Sequence, residues 1–347
     1  MQPIAPTAPP PAAPDAPAAP SASALGDALP SAFAFGPPSG APYPSLSHKD
    51  NRERWVKWGH APRLLALRLP LLRGGRVAPG EDEAFLLDLF NAPSLRAHLQ
   101  PLAAGGPTAL RGACTRVRAR RLAATATSLS FFDCLVPGVL GVSSAPPPGA
   151  PPGAPPAVFI RRRLEEPWEG VTIADHLREA LVLPPEGDPE GADPSGSAEC
   201  LQQPNRFSAL FTPAQRSEWL WRAAKWVAAG GPMSQHEDEW TPYAAALRDL
   251  ARDFLTVVKG GSGAGVGSGS SSGGGSSSGS GSGELSVVTT VWEVQGLEGM
   301  EGVGEAGGLA GGGGLFPTDS PHNVCWVFSD PVHRCVHILH SSFVPYW

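Results

Sequence analysis

VCWVFSDPVHRCVHILH, Val324 to His340, places two β-branched and aromatic runs, VCWVF and RCVHILH, on either side of Ser329, Asp330 and Pro331. Asp turns the chain by hydrogen-bonding its own backbone a few residues on, and Pro fixes φ, so the stretch predicts a β-hairpin. LSVVTTVWEV from Leu285, again rich in β-branched residues, predicts a further strand. Upstream the period becomes helical. Thr212 and Pro213 form a helix start signal, and Trp219, Leu220, Ala223, Trp226 and Val227 make an apolar stripe that Gly230 and Gly231 stop. Thr241 and Pro242 repeat the start signal. Behind them Tyr243, Leu247, Leu250, Ala251, Phe254, Leu255 and Val258 mark one face of a helix of roughly four turns or more. Both stripes need a surface to cover, and the strands offer one. The chain therefore reads as α+β, a mixed, partly antiparallel sheet packed by several helices.

Further elements precede these. RLLALRL from Arg63 predicts a strand, and EDEAFLLDLF from Glu81 a helix with Phe85, Leu86, Leu89 and Phe90 on its inner face. Its acidic first turn suits the helix dipole. A strand is expected around Cys114 to Leu122, then a short apolar segment LSFFDCL from Leu129, then a strand AVFIRRR from Ala157. Thr172 and Asp175 have capping-box spacing, which predicts a helix facing inward through Ile173, Leu177 and Leu181.

Much of the chain cannot belong to a core, since 42 Gly and 40 Pro are spread over 347 residues. Residues 1–45, dominated by Pro, Ala and Ser, are expected to form a disordered tail because they bury too little to offset the entropy of ordering. Similar tracts at about 143–156, 184–205, 260–283 and 296–321 are expected to be insertions within one domain, 46–347. Loop-closure entropy grows slowly with length, so such insertions are tolerable. A net charge of −6 and a pI near 5.9 give no broad basic field for nucleic acid. No stretch approaches about 20 apolar residues, so no membrane span is expected. The N-terminus has neither a basic nor an apolar signal region, and five irregularly spaced cysteines fit a reducing compartment.

Few residues suggest chemistry. The Gly-rich tracts lack the strand–loop–helix context and the Lys-Ser or Lys-Thr of a phosphate loop, and no GxSxG elbow places a nucleophile, so no enzyme and no cofactor is expected. RVRARR, Arg116 to Arg121, puts Arg116, Arg118 and Arg120 on one strand face, read as solvated and not as a phosphate patch. His333, Cys335 and His337 would also share a face, with Cys325 on the paired strand as a fourth zinc-type ligand. Same-face strand side chains usually diverge and Cys is commonly a small buried hydrophobe, so the face is read as half-buried sheet and no metal is expected. Gln235 and His236 lead into Glu237, Asp238, Glu239 and Trp240, an acidic turn between two helices. Two readings stay open for it: acids favouring the dipole of the following helix, or a partner-docking surface, for which Glu237, Asp238, Glu239 and Trp240 are the candidates.

RWVKWG from Arg54, DEAFLLDLF from Asp82, LSFFDCL from Leu129, QHEDEWTPY from Gln235 and DPVHRCVHIL from Asp330 stand in an order that resembles the cilia- and flagella-associated protein 300 family. The resemblance spans about residues 50–340. It implies a helix near Lys259 running almost directly into the strand near Leu285, which makes the intervening Gly/Ser tract an insertion. It supplies no catalytic residues. It implies a non-catalytic protein of cytoplasm and ciliary axoneme, needed for motility and acting in assembly or transport of outer and inner dynein arms. The implied partners are dynein-arm preassembly factors, axonemal dynein complexes and the intraflagellar transport machinery. It also implies a basic residue at His333 and a histidine at Cys335 in relatives, a further reason to expect no metal. The alternatives are a stably bound axonemal component and a metal-binding enzyme.

Overall fold

A computed structural model describes residues 31–40, 43–61, 64–99, 102–103, 106–107, 112–144, 146, 151–153, 156–168, 171–184, 205–231, 234–259, 284–299, 315–316, 320 and 322–342. In chain order the elements are β1 (Ala34–Phe35), α1 (Pro44–Ser47), α2 (Lys49–Lys57), β2 (Leu64–Arg73), α3 (Asp82–Asn91), α4 (Pro93–Arg96), β3 (Leu102–Ala103), β4 (Gly106–Pro107), β5 (Arg116–Leu122), β6 (Leu140–Val142), β7 (Val158–Ile160), β8 (Arg162–Trp168) and β9 (Val171–Asp175). There follow α5 (His176–Leu181), α6 (Pro213–Arg216), α7 (Trp219–Ala229), α8 (Trp240–Phe254), β10 (Val257–Lys259), β11 (Leu285–Val287), β12 (Thr290–Glu298), β13 (Val324–Asp330) and β14 (Cys335–Ser341). Six strands form the main sheet in the order β1-β2-β14-β13-β12-β5. The expected α+β class holds, and every pairing in this sheet is antiparallel.

The predicted hairpin lies at the centre of the sheet, as β13 and β14. Its alternation divides two hydrophobic cores. Trp326, Phe328 and Leu339 point to one, with Trp55, Trp58, Trp219, Trp226, Tyr243 and Phe254 from α2, α7 and α8 and their flanks. Cys325, Val327, Val336 and Ile338 point to the other, with Phe85, Leu86, Leu89 and Phe90 of α3. All residues of both strands are buried, which is why they read as nearly continuous apolar runs. Trp226 meets Trp326 edge-on at 5.7 Å and stacks on Trp55 at 5.4 Å. Such pairs each contribute about 0.5–1.5 kcal/mol beyond the area they bury.

Several elements depart from expectation, for tertiary reasons. Val171–Asp175 is a strand, not the start of a helix; Ile173 is buried on it, and Asp175 alone caps α5 by accepting from the Arg178 N–H at 2.9 Å. Thr212 does close a capping box with Gln215, but the helix breaks at Ser217 and Glu218, where the chain after β5 docks. There Trp219 N–H donates to Ala123 O at 2.7 Å, and Glu218 accepts from the Thr125 N–H at 3.1 Å. α8 begins at Trp240, before the Thr241-Pro242 signal, and ends at Phe254. Val258 lies in β10, whose Lys259 pairs with Leu285 of β11, so the chain on either side of the Gly/Ser tract is brought together. LSFFDCL is a 3₁₀ turn, Leu129–Leu135.

Two low-complexity boundaries also move. Phe33, inside the stretch read as a tail, is buried against Phe85 at 5.1 Å, and Phe35 pairs with Leu71 of β2. β12 continues through Gly296 to Glu298, where the last insertion was expected to have begun. A Cβ at Gly296 would meet the Arg118 guanidinium at 2.6 Å, so glycine lets that side chain cross the strand. Residues 1–30, 185–204, 260–283 and 300–314 lie outside the described residues, as does Cys200.

Candidate functional site

The acidic turn is a structural junction. Gly230 ends α7 with φ +69°, a backbone setting that suits glycine, and a Cβ on Gly231 would collide with the Gly59 carbonyl. Gly231 N–H donates to Trp58 O at 2.7 Å and Gln235 N–H to Lys57 O at 2.9 Å, which fastens the turn to the end of α2. Glu237 then accepts from Lys57 Nζ at 2.7 Å and from the indole N–H of fully buried Trp58 at 3.1 Å. Its own N–H donates to Tyr243 Oη at 3.1 Å, and the Tyr243 ring stacks on Trp58 at 4.9 Å. Glu237 is thus not a solvated acid; its side chain is 15% exposed.

The neighbours differ. Asp238 accepts the Ile160 N–H at its carbonyl, 2.7 Å, but its side chain is 74% exposed and pairs with Arg162. Glu239 occupies the cap position of α8 without a side-chain cap bond and bridges to Phe159. Trp240 is half-buried, with its ring edge-on to Phe132 at 5.4 Å. The four candidates are contiguous, yet Asp238 alone among them is exposed. Glu237→Ala is expected to cost about 1–3 kcal/mol because a buried indole donor loses its acceptor, whereas Asp238→Ala should stay within about 0.5 kcal/mol. Thermal melts of the two variants read the difference directly, and equal melting would contradict the junction.

Beneath Tyr243 lies a buried ion pair that the sequence reading missed. Arg178, with 0% exposure, pairs with Asp175 and donates from Nη2 to Tyr243 Oη at 3.0 Å. Burial pulls the Arg178 guanidinium below its ordinary value. Beside it Glu179 binds Arg206 at 2.9 Å and Arg163 at 3.3 Å. Burial alone would raise the Glu179 carboxyl, but the arginines hold it below the usual range. The RVRARR strand is also tied down: Arg120 pairs with Glu293 at 2.5 Å, Arg118 with Glu298 at 3.7 Å and Arg121 with Asp82 at 3.6 Å. These carboxylates engage Arg118, Arg120 and Arg121, while Arg116 is exposed.

On the hairpin, Cys335 and His337 share a face, with Cys335 Sγ 3.2 Å from His337 Nε2. Cys325, the fourth ligand that a zinc reading of this face would have used, points into the opposite core, since its strand position has the other parity. Asp330 takes its place: one atom each of Asp330, Cys335 and His337 lie within 4.8 Å of one another, and all three residues are buried. His333 sits in the turn with its ring Nδ1 2.5 Å from Asp330 Oδ2. Asp330 also accepts from Thr256 Oγ1 at 2.6 Å and from the N–H groups of Val332 and His333 at 2.9 and 3.1 Å. These bonds outweigh burial and hold its carboxyl below the ordinary range. Burial pushes the Cys335 thiol up, with Arg68 opposing, and pushes His337 down to about 4. Asp330 was legible only as a turn residue, because nothing local marks its carboxylate as aimed inward.

What these observations define is an α+β scaffold with a two-faced antiparallel sheet and, among the described residues, buried carboxylates and a buried arginine tied into hydrogen-bonded networks. No solved structure matches the chain. It belongs to the cilia- and flagella-associated protein 300 family, whose model matches residues 32–188 and 200–341. Among relatives, the cilia- and flagella-associated protein 300 of Chlamydomonas reinhardtii is 26% identical over 268 residues, 77% of this chain and 82% of the relative. That of Paramecium tetraurelia is 21% identical over 263 residues, 76% of each chain.

Proposed function

We propose that this chain is a non-catalytic adaptor in the assembly or transport of outer and inner dynein arms, present in cytoplasm and in the cilium or flagellum. Family membership over most of the chain is the observation that carries the ciliary or flagellar setting. The dynein-arm step rests on the ordered sequence blocks described above, and the adaptor role is supported by what those blocks build. RWVKWG and QHEDEWTPY meet through Lys57, Trp58, Glu237 and Tyr243, forming a rigid junction and not a set of convergent reactive groups. Exposed Asp238, with half-buried Glu239 beside it at the edge of that junction, is the contact surface for a dynein-arm preassembly factor or an axonemal dynein complex, and Trp240 anchors the turn from beneath. Charge on a rigid, partly aromatic surface suits recognition.

Extraction of ciliated cells tests the adaptor reading. Detergent should release much of the protein, and a cytoplasmic pool should be present. Retention on axonemes through high salt with no cytoplasmic pool would overturn it in favour of a fixed axonemal component.

A further inference from the structure

The geometry points to a divalent-cation site of the zinc type on the hairpin face, with Asp330, Cys335 and His337 as its three protein ligands and water in the fourth position. This inference is independent of the ciliary reading. A carboxylate, a sulfur and an imidazole are a ligand set that zinc takes. Their atoms already lie within 4.8 Å of one another. A tetrahedral shell with bonds of about 2.0–2.3 Å requires side-chain rotations that close that spread.

The surroundings orient His337 and Asp330, while Cys335 must give up its proton. Tyr43 Oη lies 2.8 Å from Leu67 O, a carbonyl that can only accept, so the phenol proton is committed there. The 3.0 Å contact between Tyr43 Oη and His337 Nδ1 must then be donated by Nδ1–H. Nε2 is left with its lone pair, 3.2 Å from Cys335 Sγ. An imidazole oriented through its other nitrogen is the usual outer-shell support of a ligating histidine. The Asp330 carboxylate is fixed in the same way: Oδ1 accepts from the N–H groups of Val332 and His333, and Oδ2 from Thr256 Oγ1. Asp330 Oδ2 can reach a metal only when His333, whose side chain is 57% exposed, gives up its bond to that oxygen and turns to solvent, so binding displaces His333.

Binding replaces the Cys335 thiol proton: the S–H bond breaks, a metal–sulfur bond forms, and the proton passes to solvent. The carboxylate and thiolate together balance the two charges of the ion. Arg68, on the neighbouring strand and opposing the rise of the Cys335 thiol, favours the thiolate from outside the shell.

The test is zinc titration of the full chain after chelation, following bound metal, proton release and melting temperature, with cobalt(II) as a spectroscopic probe. One zinc per chain, about one proton released per zinc, a raised melting temperature and a thiolate-to-cobalt absorption band are expected. Tyr43→Phe keeps the ring stacked on Phe254 at 4.7 Å and removes only the hydroxyl. It should weaken zinc roughly 10- to 100-fold. Cys335→Ser should abolish both the proton release and the cobalt band, while Cys114→Ser should leave both unchanged. Absence of stoichiometric zinc, or a cobalt complex of the unmodified chain without the thiolate band, overturns the proposal whether or not Cys335→Ser folds.

Discussion

Replacing Arg178 by Met is expected to destabilise the protein by about 3–5 kcal/mol, because it leaves the Asp175 carboxylate buried without its cation. At roughly 2–4 °C per kcal/mol for a chain of this size, the melting temperature should fall by on the order of 10 °C. Arg178 has 0% and Asp175 1% exposure, so water cannot take over the lost partner. Tyr243 Oη would lose a donor at the same time, which loosens the junction that holds the acidic turn. The double variant Asp175→Asn with Arg178→Met should be less damaged than Arg178→Met alone. Asn keeps the cap on α5 but removes the unpaired charge. A single variant within about 1 kcal/mol of the parent would show that the pair is not isolated from water.

Acid should unfold the protein well above the pH at which its carboxylates protonate. His60 is 3% and His340 8% exposed. Burial, together with nearby His322, pushes His60 down to about 3, and burial pushes His340 down to about 4. Both are neutral in the folded state. Unfolding restores an ordinary value near 6.5, so below that pH the unfolded chain binds more protons and stability falls. The loss begins near pH 6.5 and continues until the pH reaches the folded values. At pH 5 each histidine should cost about 2 kcal/mol, and two of them remove a large share of a typical stability of about 5–15 kcal/mol. Denaturant melts between pH 7 and 4 read this slope, and His60→Gln should reduce it by about one proton. A midpoint that does not move over that range would contradict the assignment of buried neutral histidines.

What the sequence made legible was the part governed by neighbours in the chain. Period two placed β13 and β14, and the stripe from Trp219 to Val227 placed α7, because each of these elements buries side chains at its own repeat. What it hid depends on distant partners. α7 starts late because Ala123 and Thr125, about a hundred residues upstream, dock against Ser217 and Glu218. Glu237 reads as a solvated acid until Lys57 and Trp58 are found beside it, 180 and 179 residues away. The ligand set on the hairpin was half legible for the same reason: Cys335 and His337 follow from strand parity, Cys325 is excluded by it, and Asp330 joins only through the geometry of the turn. Phe33 and Phe35 were lost in a Pro/Ala background, although two aromatic residues spaced two apart are the mark of an edge strand against a core.

The ciliary setting stands on family membership, and the proposed adaptor role adds to it the junction of Lys57, Trp58, Glu237 and Tyr243. The proposed adaptor role would act through cargo. Loss of the protein should therefore spare the cilium itself and empty it of what the adaptor delivers. Electron microscopy of axonemes from cells lacking the chain is the most direct measurement: cilia of near-normal length with outer and inner dynein arms depleted, and weak or absent beating, are expected, whereas full occupancy of both arm rows would contradict the account.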